Sequence, residues 1–177
     1  MGRAGKVSPV TAVAVGAAAG AVGTAAMDLV WFRRYRKGGG QQGLLAWETA
    51  DGVDKWDDTS GPGQLGRLLV EGFTQHELAD RWARTSTNVM HWATGLAWGA
   101  QFGIVANSTQ RRSWALGLLL GPLVWLASYV LMPLAKLYKP IWEYDRKTLG
   151  KDLSAHLVYG AATGATFAAF TRSRVAA

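Results

Sequence analysis

The chain has 177 residues, one domain's worth, and only 18% of them are charged, while nine are Trp and twenty-two are Gly, a balance that reads as membrane. The absence of Cys excludes disulfides, thiolate metal sites, a cysteine nucleophile and covalent haem attachment. The net charge of +7 sits mostly at the ends of apolar segments, so it points to a lipid bilayer and anionic phospholipid headgroups and away from nucleic acid.

Four apolar stretches of roughly 20 residues follow one another, over about 8–32, 89–106, 114–137 and 153–170. Apart from Lys136, which can snorkel from near one end, none holds Lys or Arg in its interior. The first begins like a signal peptide, with Arg3 and Lys6 ahead of an Ala-rich run. That run is longer than an h-region of roughly 7–15 residues and ends in "WFRRYRK", which predicts a retained helix.

Four spans put both termini on one side with the turn "NSTQRR", and put the loops 33–88 and 138–152 on the other, here called the loop side. The loop side is richer in Lys and Arg than the terminal side, which has Arg3, Lys6, Arg111, Arg112, Arg172 and Arg174, so it is expected to face the cytoplasm. Within 33–88, "SGPGQLGRLLVEGF" predicts a turn and a short helix with Leu65, Leu68, Leu69 and Phe73 on one face. Flanked by Trp56 and Trp82, that helix either lies in the membrane interface or packs on the loop side of the bundle.

Aligning the second span on the fourth matches His91 with His156, Gly95 with Gly160, Gly99 with Gly164, Phe102 with Phe167 and Gly103 with Ala168. The odd spans carry the same interval of four, Gly16, Gly20, Thr24 and Asp28 in the first and Gly117, Gly121, Trp125 and Tyr129 in the third. A spacing of four keeps these residues on one helix face, and in lipid such small ridges are where helices approach closely. The expected fold is therefore all-α: a single integral membrane domain over 1–177, a four-transmembrane-helix bundle built from two helical-hairpin repeats, with a long loop carrying an interfacial amphipathic helix.

Depth places the polar groups. Asp28 lies five residues before Arg33, His156 five after Lys151 and His91 seven after Arg84, so all three are expected roughly 7–11 Å inside the loop-side boundary. With Tyr129 they form a candidate polar cluster, and the related loop segments "AWETAD" and "IWEYD" bring Glu48 and Glu143 to its mouth.

Three chemistries suit such a cluster. His91 and His156 with Asp28, Glu48 and Glu143 suit a divalent metal such as zinc, manganese or iron, although no HExxH is present. The two histidines are also candidates for axial ligands of haem b. Asp28 and the histidines are candidates for proton or ion handling, with few polar groups deeper in the spans to complete a path. Hydrolase chemistry has little support, because Ser154 and His156 fall on different helix faces and no GxSxG occurs. The best single expectation is a non-catalytic accessory or scaffold protein of the membrane, acting with a membrane protein partner or as a homo-oligomer.

The segments "GTAAMDLVWFRRYRKGGG", "HWATGLAWG", "LGLLLGPLVW", "MPLAKLYKPIWEYD" and "AHLVYG" resemble small polytopic inner-membrane proteins of actinobacterial type. More distantly, the span layout and the histidine opening the second and last spans are similar to the YagU-like bacterial family. That resemblance implies a bacterial inner membrane and a role in acid stress.

Overall fold

The computed structural model describes residues 7–109 and 113–173. Part of the "NSTQRR" turn and the terminal Arg3, Lys6 and Arg174 lie outside the described residues. Six α-helices are present and, among the described residues, no strand: α1 (Pro9–Lys37), α2 (Leu44–Glu48), α3 (Gly61–Thr74), α4 (Ala83–Ser108), α5 (Ser113–Leu134) and α6 (Arg146–Ser173).

Helices α1 and α6 overrun the apolar runs that predict them, because capping and not hydrophobicity sets their ends. The Ser8 side chain accepts from the Thr11 N–H, with Pro9 in the first turn, and Gly38 closes α1 beyond Lys37. Helix α6 starts well before its apolar run because Asp145 accepts the N–H groups of Lys147 and Thr148, each at 2.9 Å. Helix α5 ends early at Pro133 and Leu134, and Lys136 turns left-handed at φ 58°.

The glycine ridges are the seams. Gly16 and Gly20 of α1 lie against Gly95, Gly99 and Gly103 of α4, so close that a Cβ at Gly99 would stand 2.5 Å from the Gly16 carbonyl and 2.6 Å from the Gly20 Cα. In the second pair Gly117 and Gly121 of α5 lie against Gly160, Gly164 and the backbone at His156 of α6. Tight backbone approach of this kind gains dispersion contact over a long seam without needing a hydrophobic drive.

The two pairs meet chiefly through α1 and α6, where Gly23 rests on Tyr159 and Thr163. Helices α4 and α5 touch only lightly, so the bundle has one open side. From α6, Tyr159 crosses the centre to donate to the Gly95 carbonyl at 2.7 Å, and Phe167 meets Phe102 edge-on at 5.7 Å. Val15, Ala19, Leu120 and Val124 complete this thin core.

Two of the helices, α1 and α5, are long and apolar enough to cross a membrane. Four such helices are the sequence expectation; α4 and α6 have the length but carry more Thr and Ser. The outward faces are apolar: Val10, Val13, Val22 and Leu29 on α1, and Leu119, Leu123, Leu126 and Leu131 on α5 stand exposed.

The long loop has its own anchor. Trp56, expected to flank an interfacial helix, is buried instead, donating its indole N–H to the Leu78 carbonyl at 2.8 Å beneath the Arg67 guanidinium. Helix α3 packs on the start of α4 through Gly63 and Gly66, which face Ser86, Thr87 and Met90. Its Leu68, Leu69, Val70 and Phe73 remain exposed.

Candidate functional site

Asp28 occupies the turn of α1 that follows Thr24, on the face shared with Gly16 and Gly20, and is 4% exposed. Across the seam on α4, four residues before Gly95, stands His91. The ridge spacing that closes the helices also aligns these two, and His91 Nε2 lies 2.9 Å from Asp28 Oδ2.

Glu48 comes from outside the bundle. It ends α2, whose Trp47 packs on Phe32 and Tyr35 at the exit of α1, with ring centroids 5.6 and 6.2 Å away. On the other side α4 grips the turn after Glu48. The Arg84 guanidinium donates to the Thr49 carbonyl and pairs with Asp51, both at 2.9 Å, and the Asn88 amide donates to Thr49 at 3.0 Å. Ala50 and Gly52 take positive φ, turning the chain back so that α2 lies over the seam.

Asp28, Glu48 and His91 thus present one ligand atom each, all within 4.8 Å of one another. The Trp92 indole and Asp28 both reach the Glu48 carboxyl, while Glu48 Oε1 is buried without a donor. Burial first, and the Asp28 charge second, push the Glu48 carboxyl above its ordinary 4.5. Among the described residues no Lys or Arg forms an ion pair with either carboxylate. Two carboxyls in contact need a proton or a cation between them.

The expected single cluster divides in two. His156 turns to its own helix, with Nδ1 3.0 Å from the Asp152 carbonyl and 3.3 Å from Oδ1 of the Asp152 carboxylate. Tyr129 also joins Asp152, through its hydroxyl, and packs on Tyr144 and Tyr138. Glu143 ends an exposed 3-10 turn, Ile141–Glu143, and belongs to neither group. His91 and His156 are therefore committed to different carboxylates, and the ridges that a haem between them would have to part are closed backbone to backbone.

Sequence reasoning did not single out Arg84, Asn88 or Asp152. The last had a signal, since Asp152 and His156 stand at i, i+4, where helical side chains meet before any tertiary contact forms. Compared with family models, curated proteins and solved structures, the chain matches none.

Proposed function

We propose that the chain is a four-span membrane protein, without catalysis of its own, that holds a divalent cation at its loop end through Asp28, Glu48 and His91. The observation that carries this is the contact of two carboxyls, one with an unanswered buried oxygen, beside a single imidazole. One nitrogen and two carboxylate ligands suit manganese, iron or zinc, whose bonds to such ligands run roughly 2.0–2.2 Å.

Support for four spans comes from α4 and α6 themselves. No Asp, Glu, Lys or Arg occurs between Arg84 and Arg111 or between Asp152 and Arg172. Both helices run the length of their apolar partners, and Leu96, Ile104, Val105, Leu157 and Phe170 stand exposed as lipid-facing residues would. The two glycine-seamed pairs support two hairpin repeats in one bundle. The exposed Arg33, Arg36, Lys37, Arg81 and Arg146 suit anionic headgroups of a bacterial inner membrane, with the loop side cytoplasmic. The exposed face of α3 is the surface on which a membrane protein partner or a second copy would sit.

Elemental analysis of the detergent-purified protein tests the cation. Near-stoichiometric manganese, iron or zinc is expected, falling at least about tenfold in His91→Ala and Glu48→Gln; metal retained by both variants would remove the site.

The raised Glu48 carboxyl favours one second reading, a proton shared between Glu48 and Asp28 and passed to His91. In proteoliposomes that reading predicts proton leakage that Asp28→Asn abolishes. Leakage unchanged by the substitution would sink it.

A further inference from the structure

A second concavity lies at the loop end, apart from the carboxylate–imidazole group. Trp31 of α1, Tyr129 of α5, Tyr138 and Tyr144 from the connecting segment, and Thr148, Lys151 and Asp152 of α6 enclose a cleft of about 370 Å³. Small-molecule sites start at roughly 300 Å³, so it holds a compact group and little more.

Its walls are set at angles. The Tyr129 ring stands 6.1 Å from Tyr138 at 53° and 5.3 Å from Tyr144 at 86°, so three aromatic faces meet as a corner. Each is held. The Tyr129 hydroxyl lies beside Asp152, the Tyr144 hydroxyl accepts the Lys139 N–H at 3.3 Å, and Tyr138 lies against Gly61, where a Cβ would come 3.1 Å from Cζ of its ring.

The charges are sorted along the same cleft. Asp152 pairs with His156 and lies beside the Tyr129 hydroxyl, and among the described residues no Lys or Arg forms an ion pair with it. At the rim Lys151 is exposed and forms no ion pair among the described residues. Beside it Arg34 stacks 4.8 Å over the Trp31 ring and donates to the Lys151 carbonyl and to Ser154 Oγ, both at 2.7 Å.

We infer that this cleft binds the ammonium end of a zwitterionic phosphodiester, the chemistry shared by phosphocholine and phosphoethanolamine groups. The negative faces of the tyrosine rings and the Asp152 carboxylate receive the cation, and Lys151 with Arg34 meets the phosphate. A bare cation would be repelled by the basic rim, and a bare phosphate by Asp152; a molecule carrying both charges satisfies both ends. The chemistry has two sources, a lipid headgroup at the membrane surface or a soluble phosphodiester.

The test is calorimetric titration of the full chain, purified in non-ionic detergent, with glycerophosphocholine, glycerophosphoethanolamine and tetramethylammonium, against glucose and inorganic phosphate. Saturable binding of the two zwitterions is expected, weakened about five- to tenfold by Tyr144→Leu and kept by Tyr144→Phe, because the ring face and not the hydroxyl meets the cation. Lys151→Gln is expected to weaken glycerophosphocholine and to leave tetramethylammonium bound as tightly or more tightly, since a rim charge that repels it is gone. Each variant is first shown to keep the wild-type thermal midpoint.

Headgroups that bind alone identify a soluble ligand, and binding seen only with short-chain phospholipids identifies a membrane lipid; either upholds the assignment. It is overturned if neither the headgroups nor the short-chain lipids bind, if glucose or inorganic phosphate binds as well as they do, or if folded Tyr144→Leu binds as the wild type does.

Discussion

Glu48 reaches Asp28 only because Arg84 and Asn88 hold the Thr49 carbonyl between them. Its protonation has a signed consequence. A carboxyl whose pKa is raised by folding favours the folded state while protonated, and that contribution is lost as pH rises from the ordinary 4.5 through the raised value. Thermal midpoints of the metal-free protein should therefore fall with pH across that window more steeply than those of Glu48→Gln, and parallel curves would show that Glu48 ionises without strain. Added metal should flatten the wild-type curve, since a cation takes the place of the proton. Asp28 and His91 were legible in the sequence, because an ionisable group on a glycine-lined face has only a neighbouring helix to meet. The division of the histidines was not. Asp152 captures His156 within one helix, and only the rotation of α6 decides that Asp152 also faces Tyr129.

At the scale of elements, the glycine seams and the solvent-side glycines call for opposite responses to the same substitution. Gly99→Ala places a methyl against the Gly16 carbonyl and the Gly20 Cα, and forcing the helices apart should cost about 1–3 kcal/mol. In Gly72→Ala the methyl meets nothing within 4 Å on α3, and relief of backbone entropy should stabilise by roughly 0.5–1 kcal/mol. Thermal unfolding of the two variants beside the wild type checks both signs; a neutral Gly99→Ala would mean that the seam yields. The four long helices and their glycine faces were readable from spacing alone. Their ends were not, because Asp145 and Gly38 carry the polar turns of α6 and α1 beyond the apolar runs.

For the molecule as a whole, the absence of Cys makes topology directly measurable. Single cysteines at Lys55 and Ser108 should react with a membrane-impermeant maleimide from opposite faces of sealed vesicles, Lys55 from the cytoplasmic face. Reaction from one face would rule out the four-span arrangement. The order of the helices around the bundle was beyond the sequence, since the glycine ridges predict which faces close but leave open whether α1 or α4 receives α6. Tyr159 and Gly23 decide for α1.

That choice makes α1 the common partner of α4 and α6, and it bears on how the protein is made. The chain leaves the ribosome with α1 first, while the whole loop must follow before α4 exists to cover Gly16, Gly20 and Asp28. At roughly 5–20 residues per second the interval lasts several seconds, during which a carboxyl-bearing helix waits with its closing face uncovered. The loop that later carries Glu48 over the seam therefore also sets how long the nascent chain stays unsheltered, and shortening it trades a quicker assembly for the loss of the carboxyl it brings to Asp28.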